Sequence, residues 1–369
     1  MLDDSRLRVD NKIPKVHTFL KTLFKLGDKK MNRITLGKTG LEINRLGFGG
    51  IPIQRVDEQQ AVETVLHALD RGVDFIDTAR NYTTSERRIG LALKQTDKRV
   101  VLATKSQAKT ADALRADLET SLKELQKDRI DLYQCHFVRN EEEYRQVILP
   151  GGALEAMVQA KAEGLIGHIG ITSHNLDLLE RVVDDAVFET IMVCFSFLEP
   201  KAKESVISKA LAKNIGVIAM KSFSGGVIDD PVIALKFVLS QPGVVIIPGV
   251  ESKDLFDQNW AVYTHSHTLS TAEMRKIEEI RTRYDKVFCR RCDYCQPCSE
   301  DIPIQLILSV RSALKRFGKD FLQHGWPKEA IAKARNCSAC GECLERCPYQ
   351  LPIPDLIKEN LEWVDEQLK

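Results

Sequence analysis

The stretch that decides the fold runs from residue 99 to residue 137: RVVLATKS (99–106), TADALRADLETSLKELQ (110–126) and IDLYQCHF (130–137). A short apolar run ends in polar residues, a segment of helical period follows, and a second apolar run begins. This is the strand–helix–strand unit of a parallel sheet covered by helices. Outward in both directions the pattern recurs. LGFGGI (46–51) and VDFID (73–77) precede it, and IGHIGITS (166–173), TIMVCFSF (190–197), GVIAMKSF (216–223) and VVIIPGV (244–250) follow, which makes eight strand candidates. Between them lie helix candidates such as DEQQAVETVLHALDRG (57–72), with apolar positions three and four apart. Eight such repeats in about 240 residues predict an α/β protein built on a (β/α)8 TIM barrel. The competitor, a doubly wound open sheet, normally carries a Gly-rich fingerprint after its first strand. None is present, and GLIGHIG (164–170) reads as a loop and a buried strand. Ahead of the barrel, ITLGKTGLEI (34–43) predicts a β-hairpin turning at Lys38-Thr39-Gly40.

The chain of 369 residues is long enough for one large core and a small appendage. We divide it into an N-terminal extension (1–30), the barrel (31–285) and a C-terminal module (286–369). In the extension, Val16, Phe19, Leu20, Leu23 and Phe24 fall at helical spacing, so His17 to Leu26 reads as a short amphipathic helix. Lys and Arg number 53 against 52 Asp and Glu, for a net charge of +1, so no basic field points to nucleic acid. No apolar run reaches the roughly 18 residues of a membrane span, and MLDDSRLRVD lacks the features of a secretory leader. A cytoplasmic protein with no nucleic-acid or membrane partner is expected.

Eight of the ten cysteines fall in two runs near the end of the chain: Cys289, Cys292, Cys295 and Cys298, then Cys337, Cys340, Cys343 and Cys347, followed by Pro348. The second run has the C-x2-C-x2-C-x3-C-P spacing that wraps a short loop around a cubane iron-sulfur cluster and sends its fourth thiolate elsewhere. Two runs suggest two 4Fe-4S clusters with crossed ligation: Cys289, Cys292 and Cys295 sharing one with Cys347, and Cys337, Cys340 and Cys343 the other with Cys298. The first run departs from the pattern, with two residues before Cys298 and Ser299 in place of proline, so a single cluster stays open. Disulfides fit such serial spacing poorly, and four-thiolate zinc is the remaining alternative. Cys135 and Cys194 lie in apolar runs and read as core. IPIQLILSVRSALKRFG (302–318) has a helical period, which predicts an all-α, ferredoxin-like module, with Phe288 and the segments after Pro303 and Pro352 shielding the clusters.

In a TIM barrel the chemistry sits at the C-terminal ends of the strands, where the loops converge. Asp77 ends the second strand, with Tyr82 five residues on; Lys105 ends the third and His136 the fourth. Singly these read as a loop cap, a surface tyrosine, a solvated lysine and a core histidine. Jointly, four titratable groups on three neighbouring strand ends point to a catalytic site.

At these residues the chain resembles the aldo/keto reductase superfamily. The likeness rests on RITLGKTGLEINRLGFGG, FIDTARNY, ATKS, IDLYQCHF, IGITSH and IPGVES, and covers residues 32 to about 285. With the cysteine runs it is most similar to the branch ending in a ferredoxin-type domain. The resemblance implies an NADP- or NAD-dependent oxidoreductase acting on a small-molecule carbonyl, with Tyr82 as general acid, Lys105 lowering its pKa, Asp77 holding Lys105, and His136 orienting the substrate oxygen. It also implies cofactor contacts from Gly49, Thr172, Ser173, Met220, Ser222, Phe223, Gly225, Gly249, Ser252 and Asn259. Among these, Thr172 and Ser173 would hold the carboxamide, Met220 would lie on the ring, Ser222 to Gly225 would approach the pyrophosphate, and Gly249 to Asn259 the adenosine. Met220 stands where many members have an aromatic residue, and Leu255 where many have the arginine for a 2′-phosphate, with Lys253 nearby. The substrate is not legible. The rival reading is an electron-transfer or redox-regulatory protein that binds nicotinamide without carbonyl turnover and meets a redox partner protein at the cluster domain.

Overall fold

The parity of the apolar runs settles how the sheet closes. The computed structural model describes residues 33–369, so the amphipathic segment read at 17–26 lies outside the described residues. Among the described residues ten strands form: β1 (Arg33–Thr35), β2 (Glu42–Asn44), β3 (Phe48–Gly49), β4 (Phe75–Asp77), β5 (Val101–Ser106), β6 (Ile130–Cys135), β7 (Ile166–Ser173), β8 (Thr190–Cys194), β9 (Gly216–Met220) and β10 (Val244–Ile246). From β3 to β10 they lie side by side, all parallel, in chain order. Parallel bridges Leu46 to Ile246 and Gly49 to Gly249 join the first strand to the last and shut the ring. Gly49 makes that closure sterically feasible, because a Cβ there would stand 2.6 Å from the Ile247 carbonyl oxygen. Each of the eight strand candidates contains its observed strand, shortened mostly at the C-terminal end, where the chain turns into the loops of the rim.

Alternate residues face opposite ways along a strand. Phe75, Ala103, Leu132, Met192, Ile218 and Val245 fill the barrel interior, together with Leu36 and Ile43 of the hairpin, which plug its lower end. Residues of the other parity, among them Ile76, Leu102, Tyr133, Ile171, Ile191 and Val217, pack against the helices in a second, larger core. The helices start and stop as their sequences dictate. Asp57 accepts a hydrogen bond from Gln60 N to open Glu58–Arg71, which Gly72 closes at a φ of 107°. Thr110 likewise caps Ala111–Leu125. The predicted hairpin is present, with Ile34 opposite Ile43 and Gly40 at a φ of 69° in the turn.

Beyond residue 285 the described chain holds helices and no strand: Ile304–Ile307, Val310–Phe317, Gly325–Ala334, Glu342–Arg346 and Ile353–Leu368, with a 3-10 turn at Lys319–Gln323. The apolar period read at 302–318 breaks into two helices at Leu308-Ser309. A separate core holds this region, formed by Ile302, Ile304, Ile307, Val310, Leu322, Ile353, Leu356 and Val364, with Cys295 in it and Cys289, Cys298, Cys337, Cys343 and Cys347 against it. Phe288 departs from expectation: it is buried with Phe197, Leu198 and Ile280 on the barrel side.

Candidate active site

Parity also delivers the site. Continuing the inward-facing series upward by two residues takes Phe75 to Asp77, Ala103 to Lys105, and Leu132 to Gln134 and then His136, all at the C-terminal rim. Lys105 Nζ donates to Asp77 Oδ2 at 2.5 Å and to the Thr78 carbonyl at 2.7 Å. Both side chains are nearly sealed from water, at 2% and 3% exposure. Gln134, the cross-strand neighbour of Lys105, donates to Asp77 Oδ1 at 3.3 Å. The ammonium stands 5.0 Å from the centroid of the Tyr82 ring, and the charge of Lys105 acts on its hydroxyl. Tyr82 meets His136 edge to face, with centroids 5.7 Å apart. The four predicted residues therefore form one contiguous group, opening into a cavity of about 540 Å³ that they line.

Burial dominates the electrostatics. It drives the His136 imidazole well below its ordinary range, and the nearby cations Lys105, Lys109 and Lys221 push the same way, so His136 is neutral at pH 7. Its Nδ1 is buried without a partner in the protein. The Tyr82 phenol is raised above its usual value, because burial outweighs the pull of Lys105 toward the phenolate. The expectation that Lys105 alone would bring this tyrosine down is thus not met in the free protein. The lysine acts in the expected direction but does not win. Lys105 stays charged because the attraction of Asp77 and Tyr82 more than offsets its own desolvation.

The same cavity is lined by Gly49, Thr172, Met220, Ser222, Phe223, Gly225 and Gly249, and by Leu255. Ser222 Oγ is buried and has no partner. Three further residues read as cofactor contacts are not on its wall. Ser173 Oγ donates to the Val138 carbonyl, Ser252 Oγ caps Lys253–Thr264 by accepting from Leu255 N, and Asn259 is buried in that helix. Lys253 is paired with Glu63 at 2.7 Å on the surface.

The pattern of the aldo/keto reductase family matches residues 45–232. The chain belongs to the aldo/keto reductase family. That family comprises NAD(P)-dependent oxidoreductases. Aldo-keto reductase YhdN of Bacillus subtilis is 31% identical over 218 residues, a match spanning 54% of this chain and 64% of YhdN. The holo form of an aldo-keto reductase from Bacillus halodurans superposes with a TM-score of 0.59 at 22% identity, over 68% of this chain and 96% of that one. An aldo-keto reductase from Klebsiella pneumoniae in complex with NADPH does so with a TM-score of 0.58 at 23% identity, over 69% and 96%. At these identities the two structures speak for the barrel fold. The matched part ends well before the cysteine runs.

The aldo/keto reductase barrel here carries wall residues that the sequence reading missed. His174, Arg55, Arg291, Gln305, Phe317 and Trp326 all line the cavity, the last four from beyond residue 285. Gln134 was readable, since it shares the inward parity of Leu132 and His136. His174 is the last residue of IGITSH, a motif that was singled out without a role for this residue. For Arg291, Phe317 and Trp326 no sequence signal exists.

The thiols fall into two groups. Burial raises those of Cys289, Cys292 and Cys295, Cys292 to about 12, and each of the three feels Cys347. Cys343 is raised by burial and feels Cys337, Cys340 and Cys298. Those four also line one small cleft, together with Cys295. Among the described residues, no three His, Cys, Asp or Glu side chains are drawn together as ligands of one metal ion. Cys135 and Cys194 are buried in the barrel, as expected.

Proposed function

We propose that this chain reduces an aldehyde or ketone, or oxidises the corresponding alcohol, with NADPH or NADH, and that Asp77, Tyr82, Lys105 and His136 carry the proton chemistry. The observation that supports this most directly is the buried Lys105–Asp77 pair set against the Tyr82 phenol at the bottom of an open cavity. When bound, the nicotinamide supplies the hydride to the carbonyl carbon. As negative charge grows on the carbonyl oxygen, the Tyr82 hydroxyl gives up its proton to that atom, and the phenolate left behind is stabilised by the Lys105 ammonium. Asp77, Gln134 and the Thr78 carbonyl keep that ammonium in place. Neutral His136 has a free ring nitrogen with which to engage the same oxygen and fix its approach.

The unpartnered Ser222 hydroxyl, together with Thr172, Met220 and Gly225 on the cavity wall, suits a polar cofactor lying across the rim. The Klebsiella relative holds NADPH. By the family resemblance Leu255 stands where many members have the arginine for a 2′-phosphate, and Lys253 is engaged by Glu63, so use of both nucleotides is the reading we adopt. The test is oxidation of NADPH and of NADH by the full chain across an aldehyde panel, with Tyr82→Phe as control. Equal turnover by the variant would refute the assignment.

We further infer that residues 286–369 hold two 4Fe-4S clusters, one on Cys289, Cys292, Cys295 and Cys347 and the other on Cys298, Cys337, Cys340 and Cys343. The thiols group electrostatically by these sets, each drawing one member from the other run. A redox role remains the second reading, and one contact favours it. Arg291, inside the first cysteine run, donates its backbone N–H to Cys289 Sγ at 3.4 Å and lines the catalytic cavity.

A further inference from the structure

The C-terminal region does more than follow the barrel: it crosses the rim of the catalytic cavity. At one end of the helix Val310–Phe317, Ser312 Oγ donates to the Gly225 carbonyl at 2.7 Å, in the loop after β9. At the other, the Phe317 ring receives the Arg55 guanidinium 5.2 Å from its centroid, and Arg55 pairs with Glu251 at 3.3 Å. Arg55 follows β3 and Glu251 follows β10, the strands that close the ring. Six residues of one helix, Ser312 to Phe317, thus span the opening between the loop after β9 and the β10–β3 seam. Ser309 and Phe317 from this segment, and Trp326 beyond it, line the cavity, and Phe317 and Trp326 each contact Phe321.

Beneath the span lies the loop 221–226. Lys221, Ser224, Gly225 and Gly226 all adopt positive φ there, and Ser224 N and Gly226 N donate to the Lys221 and Phe223 carbonyls, which folds the loop tightly back on itself. Ser222 Oγ is buried and unpartnered within the same loop. This loop forms part of the wall of the cavity proposed above for the nucleotide, and the helix is tied to it through Ser312.

We propose that Val310–Phe317 is a strap across the nucleotide site, so that the dinucleotide enters and leaves only when this helix lifts from Gly225 and Arg55. The C-terminal region is then part of the cofactor site whatever else it holds. This inference rests on the nucleotide reading given above. A strap obstructs both directions, so loosening it raises the association and dissociation rates together and changes Kd less than either. A wall contact, by contrast, changes dissociation alone.

The test is stopped-flow fluorescence of NADPH binding and displacement with the full-length chain, comparing the parent with Ser312→Ala and Phe317→Ala. Both rates are expected to rise roughly three- to tenfold, more for Phe317→Ala, since one hydrogen bond or one cation–π contact is lost. Circular dichroism confirms the fold, and Ser312→Ala, a change of one hydroxyl, covers the case in which Phe317→Ala misfolds. Unchanged rates, or a rise in dissociation with association fixed, overturn the strap while leaving nucleotide binding intact. A parent chain that binds neither NADPH nor NADH overturns the nucleotide reading, and the strap with it.

Discussion

Replacing Asp77 by Asn probes the pair on which the site is built. Its charged atoms are 2.5 Å apart. At the effective dielectric that describes protein interiors, about 20, their attraction is roughly 7 kcal/mol, most of it offset by the cost of burying both charges. The intact pair therefore contributes little net stability, but removing one partner leaves the other bare, at about 3–5 kcal/mol. Asn keeps the shape and the acceptor facing Gln134, so the loss is that of charge. Lys105→Met leaves Asp77 with Gln134 Nε2 as its remaining side-chain donor among those described. The expected result is a drop in melting temperature of roughly 4–6 °C for each single variant of a chain this size, measured by circular dichroism. The double variant Asp77→Asn, Lys105→Met should recover part of that loss, because no unpaired charge remains. In denaturant titration this is a coupling of roughly 2–4 kcal/mol. Single variants costing under about 1 kcal/mol, or losses that add, would refute the view that these two side chains are a sealed ion pair.

Tyr82→Phe should lower kcat by roughly 10²- to 10⁴-fold while NADPH still binds, read by steady-state turnover beside fluorescence titration. Burial holds folded His136 neutral well below 6.5, whereas the unfolded chain takes up the proton near 6.5. Below that pH the unfolded state binds more protons, so stability is present above about 6.5 and is lost as pH falls through it. The same dependence should weaken in His136→Gln when unfolding is followed from pH 8 to 5. Anaerobically purified protein should contain about eight iron and eight sulfide per chain. Cys347→Ser should perturb the centre held by the first cysteine run, seen in the electron paramagnetic resonance spectrum after dithionite reduction; one centre, or zinc, would correct the ligand assignment.

Much of the barrel was legible because its two periodicities are local. Strand parity in RVVLATKS and IDLYQCHF already sorts Ala103, Lys105, Leu132, Gln134 and His136 to one face. A parallel barrel sends every strand end to the same rim, so residues distant in sequence meet there without any long-range information. Ser173, Ser252 and Asn259 were harder to place: a serine beside a strand end or a helix start has the same identity whether it faces a ligand or caps backbone, and only hydrogen-bond geometry separates the two.

The sequence by itself determined the strand and helix succession, the family, the grouping of Asp77, Tyr82, Lys105 and His136, and the helical character of the C-terminal region. Tertiary structure decided that burial outweighs Lys105 at the Tyr82 phenol, that Phe288 packs toward the barrel, and that Phe317, Trp326 and Arg291 reach the cavity lined by Asp77, Tyr82, Lys105 and His136. Apolar periodicity tells which side of a helix is buried but carries no information about which surface it is buried against. That choice depends on contacts such as Ser312 to Gly225 and Arg55 to Phe317, between residues 87 apart and more.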